Sequence, residues 1–360
     1  MTVPRFPLFL FAILLTVRPV SAQQQPLAQP AAPDKISLDV VAEDRQGHPV
    51  RGLEAQDFTL LDNGQPRTIT DFHAVDTTVT PDAIHVLIVM DMINTGFGAV
   101  AREREELGNY LNQDGGKLSW PTSIGILTED GVKVMNGSTL DGHVLQTQFQ
   151  KSQTDLRSVG RAAGFYGAAE RMELSLRQIS ELATVEATHP GRKFIVVIGP
   201  GWPMLAGAGV EADIKQRSWV WNYIVQLTNG LRQAHIALYS VNAFDFGGRS
   251  NPFYYQGYLK PIKRLDNAEY PDVALQVVAE HSGGRAIPSG HDVQAEINTA
   301  LRDAGPYYQI TFESPSPDHP NEFHELSVHI AKPDLTARTN SFYYANPQMM
   351  NGNKAVPNPR

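Results

Sequence analysis

Two short apolar runs constrain this chain more than any other feature. Residues 84–90 (IHVLIVM) and 193–198 (KFIVVI) are nearly continuous in aliphatic side chains. A strand with that pattern is covered on both faces, as in a parallel sheet between helical layers. The sequence around the two runs alternates strand with helix. Residues 100–111 read as a helix. Residues 123–127 read as a strand, which Glu129-Asp130-Gly131 turns into an antiparallel edge over 132–135. Residues 167–183 set Ala168, Met172, Leu176, Ile179 and Ala183 on one helical stripe. A long helix over 213–233, a strand over 235–241, a helix over 271–281, a short strand over 285–287 and a helix over 292–303 complete the series. Such alternation predicts an α/β unit with a mostly parallel sheet and helices on both sides.

Both ends of the chain follow a different rule, the period of two that marks half-buried strands. Residues 36–40 alternate, residues 57–61 form a second strand, and Asp62-Asn63-Gly64 turns it into a third over 67–75. Asn-Gly accepts the positive φ angles of a tight hairpin. After Gly305-Pro306, residues 308–312, 325–330 and 335–344 read as three more strands. Neither set of three closes a core alone. The two ends are therefore expected to meet as one β-sandwich-like domain.

The 360 residues carry a formal net charge of −8 and include no cysteine. Disulfide scaffolds, thiolate metal sites and cysteine nucleophiles are excluded. An acidic chain without a basic field is a poor partner for nucleic acid. Arg5 precedes an apolar stretch over 6–17, and Val20-Ser21-Ala22 fits a small-residue cleavage site. This reads as a signal peptide cut after Ala22, which implies a secreted or periplasmic protein. Contact with a membrane is expected only through that segment, if it stays uncleaved. The expected organisation is a signal peptide over 1–22, a disordered linker over 23–34 and a β-rich segment over 35–80. An α/β domain over 81–304, β-strands over 305–346 packing on the first segment and a flexible tail over 347–360 follow.

Enzyme motifs are largely missing. The sequence contains neither Gly-x-Ser-x-Gly nor the phosphate loop Gly-x-x-x-x-Gly-Lys-Ser/Thr. Ser282-Gly283-Gly284-Arg285 leaves a helix and enters a strand, the reverse of a phosphate cradle, and reads as a glycine C-cap. His324 and His329 lie five apart on an expected strand, so they face opposite ways and cannot share a metal.

Four stretches together carry a resemblance. They are residues 40–72, with Gly52-Leu53, Asp57-Phe58 and Asp62-Asn63-Gly64; residues 86–95 (VLIVMDMINT); residues 190–203 (PGRKFIVVIGPGWP); and the stretch from Leu275 through Ser282-Gly283-Gly284-Arg285-Ala286 to Tyr344. In this order they resemble the bacterial VWFA-related family, exported proteins built around a von Willebrand factor A-type domain. The resemblance implies a six-stranded, doubly wound sheet and an adhesive or scaffolding role, and names no ligand.

It also implies a place for a metal, at the C-terminal edge of the sheet after the first strand. The family pattern there is Asp-x-Ser-x-Ser, whose oxygens suit a hard divalent cation. This chain reads Asp91-Met92-Ile93-Asn94-Thr95. Asp91 and Thr95 match, Ile93 has no oxygen to give, and Asn94 offers an amide oxygen from an adjacent position. The second acidic position reads Gly199-Pro200-Gly201, and the loop threonine has only Thr154, beside Asp155, as a counterpart. The expectation is a secreted, non-enzymatic binding or scaffold protein with a degenerate metal site. Asp91, Asn94, Thr95, Gly199, Pro200, Gly201 and Trp202 are its candidate ligand-binding residues, with Trp202 either an aromatic anchor projecting from the edge or a packed loop tryptophan. The expected partner is a protein or cell-surface ligand. The alternative is adhesion through magnesium or another divalent ion, with Asp91 and Thr95 as ligands and Asn94 completing a rebuilt site. A more distant alternative is an envelope enzyme of unrecognised type.

Overall fold

The computed structural model describes residues 34–77, 83–135, 137–152, 164–205, 211–241, 254–290 and 292–348. The expected signal peptide, nearly all of the linker and tail, and Thr154 with Asp155 lie outside the described residues. In chain order the first strands are β1 (Lys35–Glu43), β2 (Phe58–Asp62), β3 (Gln65–Arg67) and β4 (Ile69–Val75). Then come β5 (Ile84–Asp91), α1 (Phe97–Asn112), β6 (Lys117–Thr128), β7 (Gly131–Val134), β8 (Thr139–Asp141), α2 (Gly142–Lys151) and α3 (Gly164–Glu186). The alternation continues with β9 (Arg192–Ile198), α4 (Ile214–Gln233), β10 (Ile236–Val241), α5 (Leu275–His281), β11 (Arg285–Ala286) and α6 (Val293–Leu301). The chain closes with β12 (Tyr307–Glu313), β13 (Glu322–Ile330), β14 (Thr336–Arg338) and β15 (Phe342–Ala345).

The central sheet has seven strands rather than the expected six. Its order is β11-β10-β9-β5-β6-β7, with β8 also paired to β6. The extra strand follows from the length of β6. Twelve residues give room for two antiparallel partners, β7 along Gly125–Thr128 and β8 at Lys117 and Thr122. The other pairings, β5 with β6 and β9, and β10 with β9 and β11, are parallel. Alternate residues of β5 feed opposite faces. Val86, Ile88 and Met90 join Leu107, Phe149 and Ile297 of α1, α2 and α6 in one core. Leu87 and Val89 join Leu176, Val220 and Leu275 of α3, α4 and α5 in another. The continuous apolar run of β5 thus serves two helical layers at once.

The two ends of the chain interleave. One four-stranded sheet runs β14-β1-β12-β4 and the other β15-β13-β2-β3. Every pairing within them is antiparallel. Leu38 and Val40 from the first sheet meet Leu60, Leu326 and Tyr343 from the second in a single core. Asn63 (φ 50°) and Gly64 (φ 74°) make the expected hairpin. Two segments expected as single strands are each split between the sheets. The strand expected over 67–75 starts on the last residue of β3, leaves that sheet at Thr68 and enters the opposite sheet as β4, and β14 and β15 divide the segment expected over 335–344 between the two sheets.

The sandwich is joined tightly to the α/β unit. Val41 and Tyr307 belong to one central core, and Phe342 and Tyr344 to the other. Beside them Arg338 and Arg285 both bind Glu43 and Asp303, at 2.8 to 3.0 Å, and Tyr239 donates its hydroxyl to Asp303 at 2.8 Å. Four charges from β1, β11, β14 and the end of α6 therefore close one polar knot over the edge of the central sheet.

Candidate functional site

The chain leaves β5 toward β6 on one side and returns through α3 to β9 on the other. The C-terminal ends of β5 and β9 therefore border the crevice where open α/β sheets bind their ligands. Asp91 ends β5 and is fully buried. Its Oδ1 accepts the backbone N–H of Ile93 at 3.0 Å and of Asn94 at 2.9 Å. This is the turn that a short acidic side chain makes at a strand end. Its Oδ2 accepts Asn94 Nδ2 at 2.7 Å, and the same nitrogen donates to Ser175 Oγ on α3 at 2.9 Å. Asn94 Oδ1 and Thr95 Oγ1 are buried and have no hydrogen-bond partner among the described residues.

From β9 the backbone presses onto this turn. A Cβ at Gly199 (φ 156°) would stand 2.9 Å from Asp91 Cβ and 3.1 Å from Thr95 Oγ1. Gly201 meets the Gln276 amide just as closely, and Gln276 Oε1 is another buried acceptor without a partner. Pro200 is half-buried. Trp202 does not project from the edge. It is fully buried among the α3, α4 and α5 side chains, so the expected aromatic anchor is a core residue. The apolar mass of an indole in a short loop favours this outcome over exposure.

The residues implied to hold a metal do not form an octahedral oxygen set. Asp91 already accepts three N–H hydrogens, Asn94 presents its nitrogen to the carboxylate, and buried Ile93 has no oxygen. Gly199 lies too close to Asp91 to carry an acidic side chain. Among the described residues, no group of three or more His, Cys, Asp and Glu could hold a metal ion.

Sequence reasoning missed what the rim of this edge exposes. Phe165 and Tyr166 open α3, which leads into β9, and Ile214 opens α4, which leaves it, so these three sit at the C-terminal ends of the strands; Tyr254 is exposed in the short helical turn that precedes α5. Ile214 is 61% exposed and Tyr166 54%. Phe165 and Tyr166 pack edge to face at 5.6 Å. The available signal was an apolar residue in the first turn of a helix, at Ile214 directly after the capping residue Asp213.

Buried titratable groups also occur away from this edge. His324 is buried on β13 and His329 is exposed, as alternation requires. His324 Nδ1 lies 2.8 Å from Asp62, which also accepts the Tyr343 hydroxyl at 3.1 Å. Asp272 and His281 flank a cavity between α4 and α5 with room for little more than one water. Burial raises Asp272 to about 7 against the N–H it accepts from Glu269, and the Glu269 carboxylate adds to the rise. Burial also lowers His281, which is held by the Leu259 carbonyl at 3.0 Å. No helix among the described residues is long and apolar enough to cross a membrane.

No family model matches the chain, and no curated protein matches it. Solved structures with partial likeness include the VWA domain of SpRpn10, at 14% identity and a TM-score of 0.30, covering 61% of this chain and 95% of that one. The human COPII-coat protein Sec24c overlaps at 8% identity and a TM-score of 0.29, over 74% of this chain and 44% of that one. The N-terminal domain of TFIIH p34 overlaps at 12% identity and a TM-score of 0.23, over 44% of this chain and 79% of that one.

Proposed function

We propose that this is an exported binding or scaffold protein with a von Willebrand factor A-like unit, which docks a protein or surface partner on the C-terminal edge of its central sheet without catalysis. The observation that carries this reading is the exposure of Phe165, Tyr166 and Ile214 where α3 and α4, the helices before and after β9, begin at that edge. Exposed aromatic and aliphatic groups around a rigid floor are what a docking surface uses for its anchors. At the same edge lies the Asp91 turn, held by the backbone N–H groups of Ile93 and Asn94 and by the Asn94 side-chain amide. In this reading Asp91, Asn94, Gly199 and Trp202 set the shape of the surface, and the rim makes the contacts.

Crosslinking the full chain to partners from its own source and quantifying them by mass spectrometry tests this. Tyr166→Ser with Ile214→Asp should remove the partner and leave thermal stability unchanged, because both side chains are exposed. Partner binding that survives these changes but is lost on altering Thr70 and His73, exposed on the sandwich edge strand β4, would overturn it.

A further inference from the structure

A second cavity lies at the opposite edge of the sheet, where the α/β unit meets the sandwich. Its lining includes Arg192 at the start of β9, Arg232 at the end of α4, His235 before β10, Asp39 of β1, and Gly283 and Asn340 from adjoining loops. The space takes about one water-sized guest. Three cations are buried around it, Arg192, Lys193 and Arg232. Lys193 is answered by the carbonyls of His189 and Ala234 and by the charge of Glu186. Asp39 is the carboxylate in the lining, and it already accepts His235 Nδ1 at 3.0 Å and Gln309 Nε2 at 3.3 Å. Arg192 lies over the rings of Phe194 at 4.6 Å and Tyr307 at 5.4 Å, with one bond to the Asp303 carbonyl at 3.4 Å.

Arg232 is the least satisfied of the three. Its Nε is buried without a hydrogen-bond partner among the described residues, and its guanidinium stands 5.9 Å from the Tyr343 ring. Desolvation by burial lowers the group to about 10, against the opposing influence of Tyr343 and then of Asp34. A buried charge without a close counter-ion is costly. The lining thus sets two guanidinium groups against the one carboxylate of Asp39, whose charge already acts on Arg192 and Lys193, and adds an orphaned donor and space for one small guest.

We propose that this cavity binds a small monovalent anion of the halide class between Arg232 and Arg192, where it joins the sandwich to the α/β unit. Because Asp39 and Asn340 come from the sandwich strands and their loops, and Arg192 and Arg232 from the α/β unit, occupancy stabilises the joint. The site is far from the docking edge and independent of its role.

Thermal unfolding of the full chain at constant ionic strength tests this, with sodium gluconate replaced stepwise by sodium chloride or bromide. Gluconate is too large for the space. The expected result is a saturable rise of the midpoint by about 3 °C or more in both halides. Arg232→Gln should abolish the halide dependence whatever its own midpoint. Crystals of the unaltered protein grown in bromide should show an anomalous peak in the cavity, which keeps the proposal testable if the variant fails to fold. Equal midpoints in all three salts, a halide response retained in Arg232→Gln, or a cavity holding only water in bromide would each overturn it.

Discussion

Asn94 turns its amide nitrogen toward Asp91, with Nδ2 standing 2.7 Å from the carboxylate Oδ2. The orientation is fixed from behind. Ser175 Oγ spends its own hydrogen on the Arg171 carbonyl at 2.8 Å, so it accepts from Asn94 and requires a donor there. A divalent cation at this point would need the amide to turn over and break both bonds. The midpoint of thermal unfolding is therefore expected to stay within about 1 °C between EDTA and millimolar magnesium, manganese or calcium. A larger rise that Asp91→Ala removes would restore the metal-dependent reading through Asp91, Asn94 and Thr95.

Gly199 is expected to tolerate no side chain. In Gly199→Ala the new methyl meets Asp91 Cβ at 2.9 Å, at a φ of 156° that L residues rarely adopt. Denaturant unfolding should show a loss of about 1–3 kcal/mol. An unchanged midpoint would mean that the β9 loop does not press on the Asp91 turn.

Asp272 gives a pH signature of definite sign. Its folded value of about 7 lies above the ordinary 3.8. Between these values the folded chain keeps a proton that the unfolded chain has released, so the contribution to stability falls as pH rises from about 4 to about 7. The advantage of the native chain over Asp272→Asn should shrink across that window, by at most roughly 4 kcal/mol. A difference that grows with pH would show that the carboxylate is ionised in the fold.

Arg338 should matter more than an exposed ion pair. It reaches Glu43 and Asp303 at 2.9 and 2.8 Å, and both carboxylates are buried. Arg338→Met leaves them sharing Arg285 alone, at an expected cost of about 3–5 kcal/mol. Adding Glu43→Gln should recover part of that loss, and calorimetry of the two single variants and the double variant measures the coupling.

The sequence made the α/β centre legible because burial on both faces writes an uninterrupted run, and 84–90 and 193–198 have no other reading of comparable economy. The hairpin at Asn63-Gly64 was legible for the same kind of local reason. What stayed hidden depended on partners distant in sequence. Nothing in Thr68 or in residues 339–341 signals that the chain crosses from one sheet to the other, because either sheet satisfies a period of two. Helix α2 was missed although Asp141 caps it and Leu145 and Phe149 mark its buried face, since ten residues carry little periodic signal. The burial of Trp202 was not legible because the helices that cover it come from other parts of the chain. The Asp91 site was half legible. The residue types were in view, but the direction of the Asn94 amide and the approach of Gly199 are tertiary facts.

The register of the sandwich has a consequence for how the molecule could be rearranged. Tyr307 stands opposite Val75 in the antiparallel pair of β12 and β4. The two points where the chain enters and leaves its α/β unit are therefore next to each other. Such an insert is a cassette. A tight turn joining Val75 to Tyr307 would excise it and leave both sandwich sheets with their strand order unbroken. The same adjacency offers a two-point graft by which the cassette could be carried to any host hairpin. It also orders biosynthesis, since β1 must wait for strands made more than two hundred residues later before it has a strand to pair with, and β2 has only the short hairpin strand β3 beside it until β13 is made.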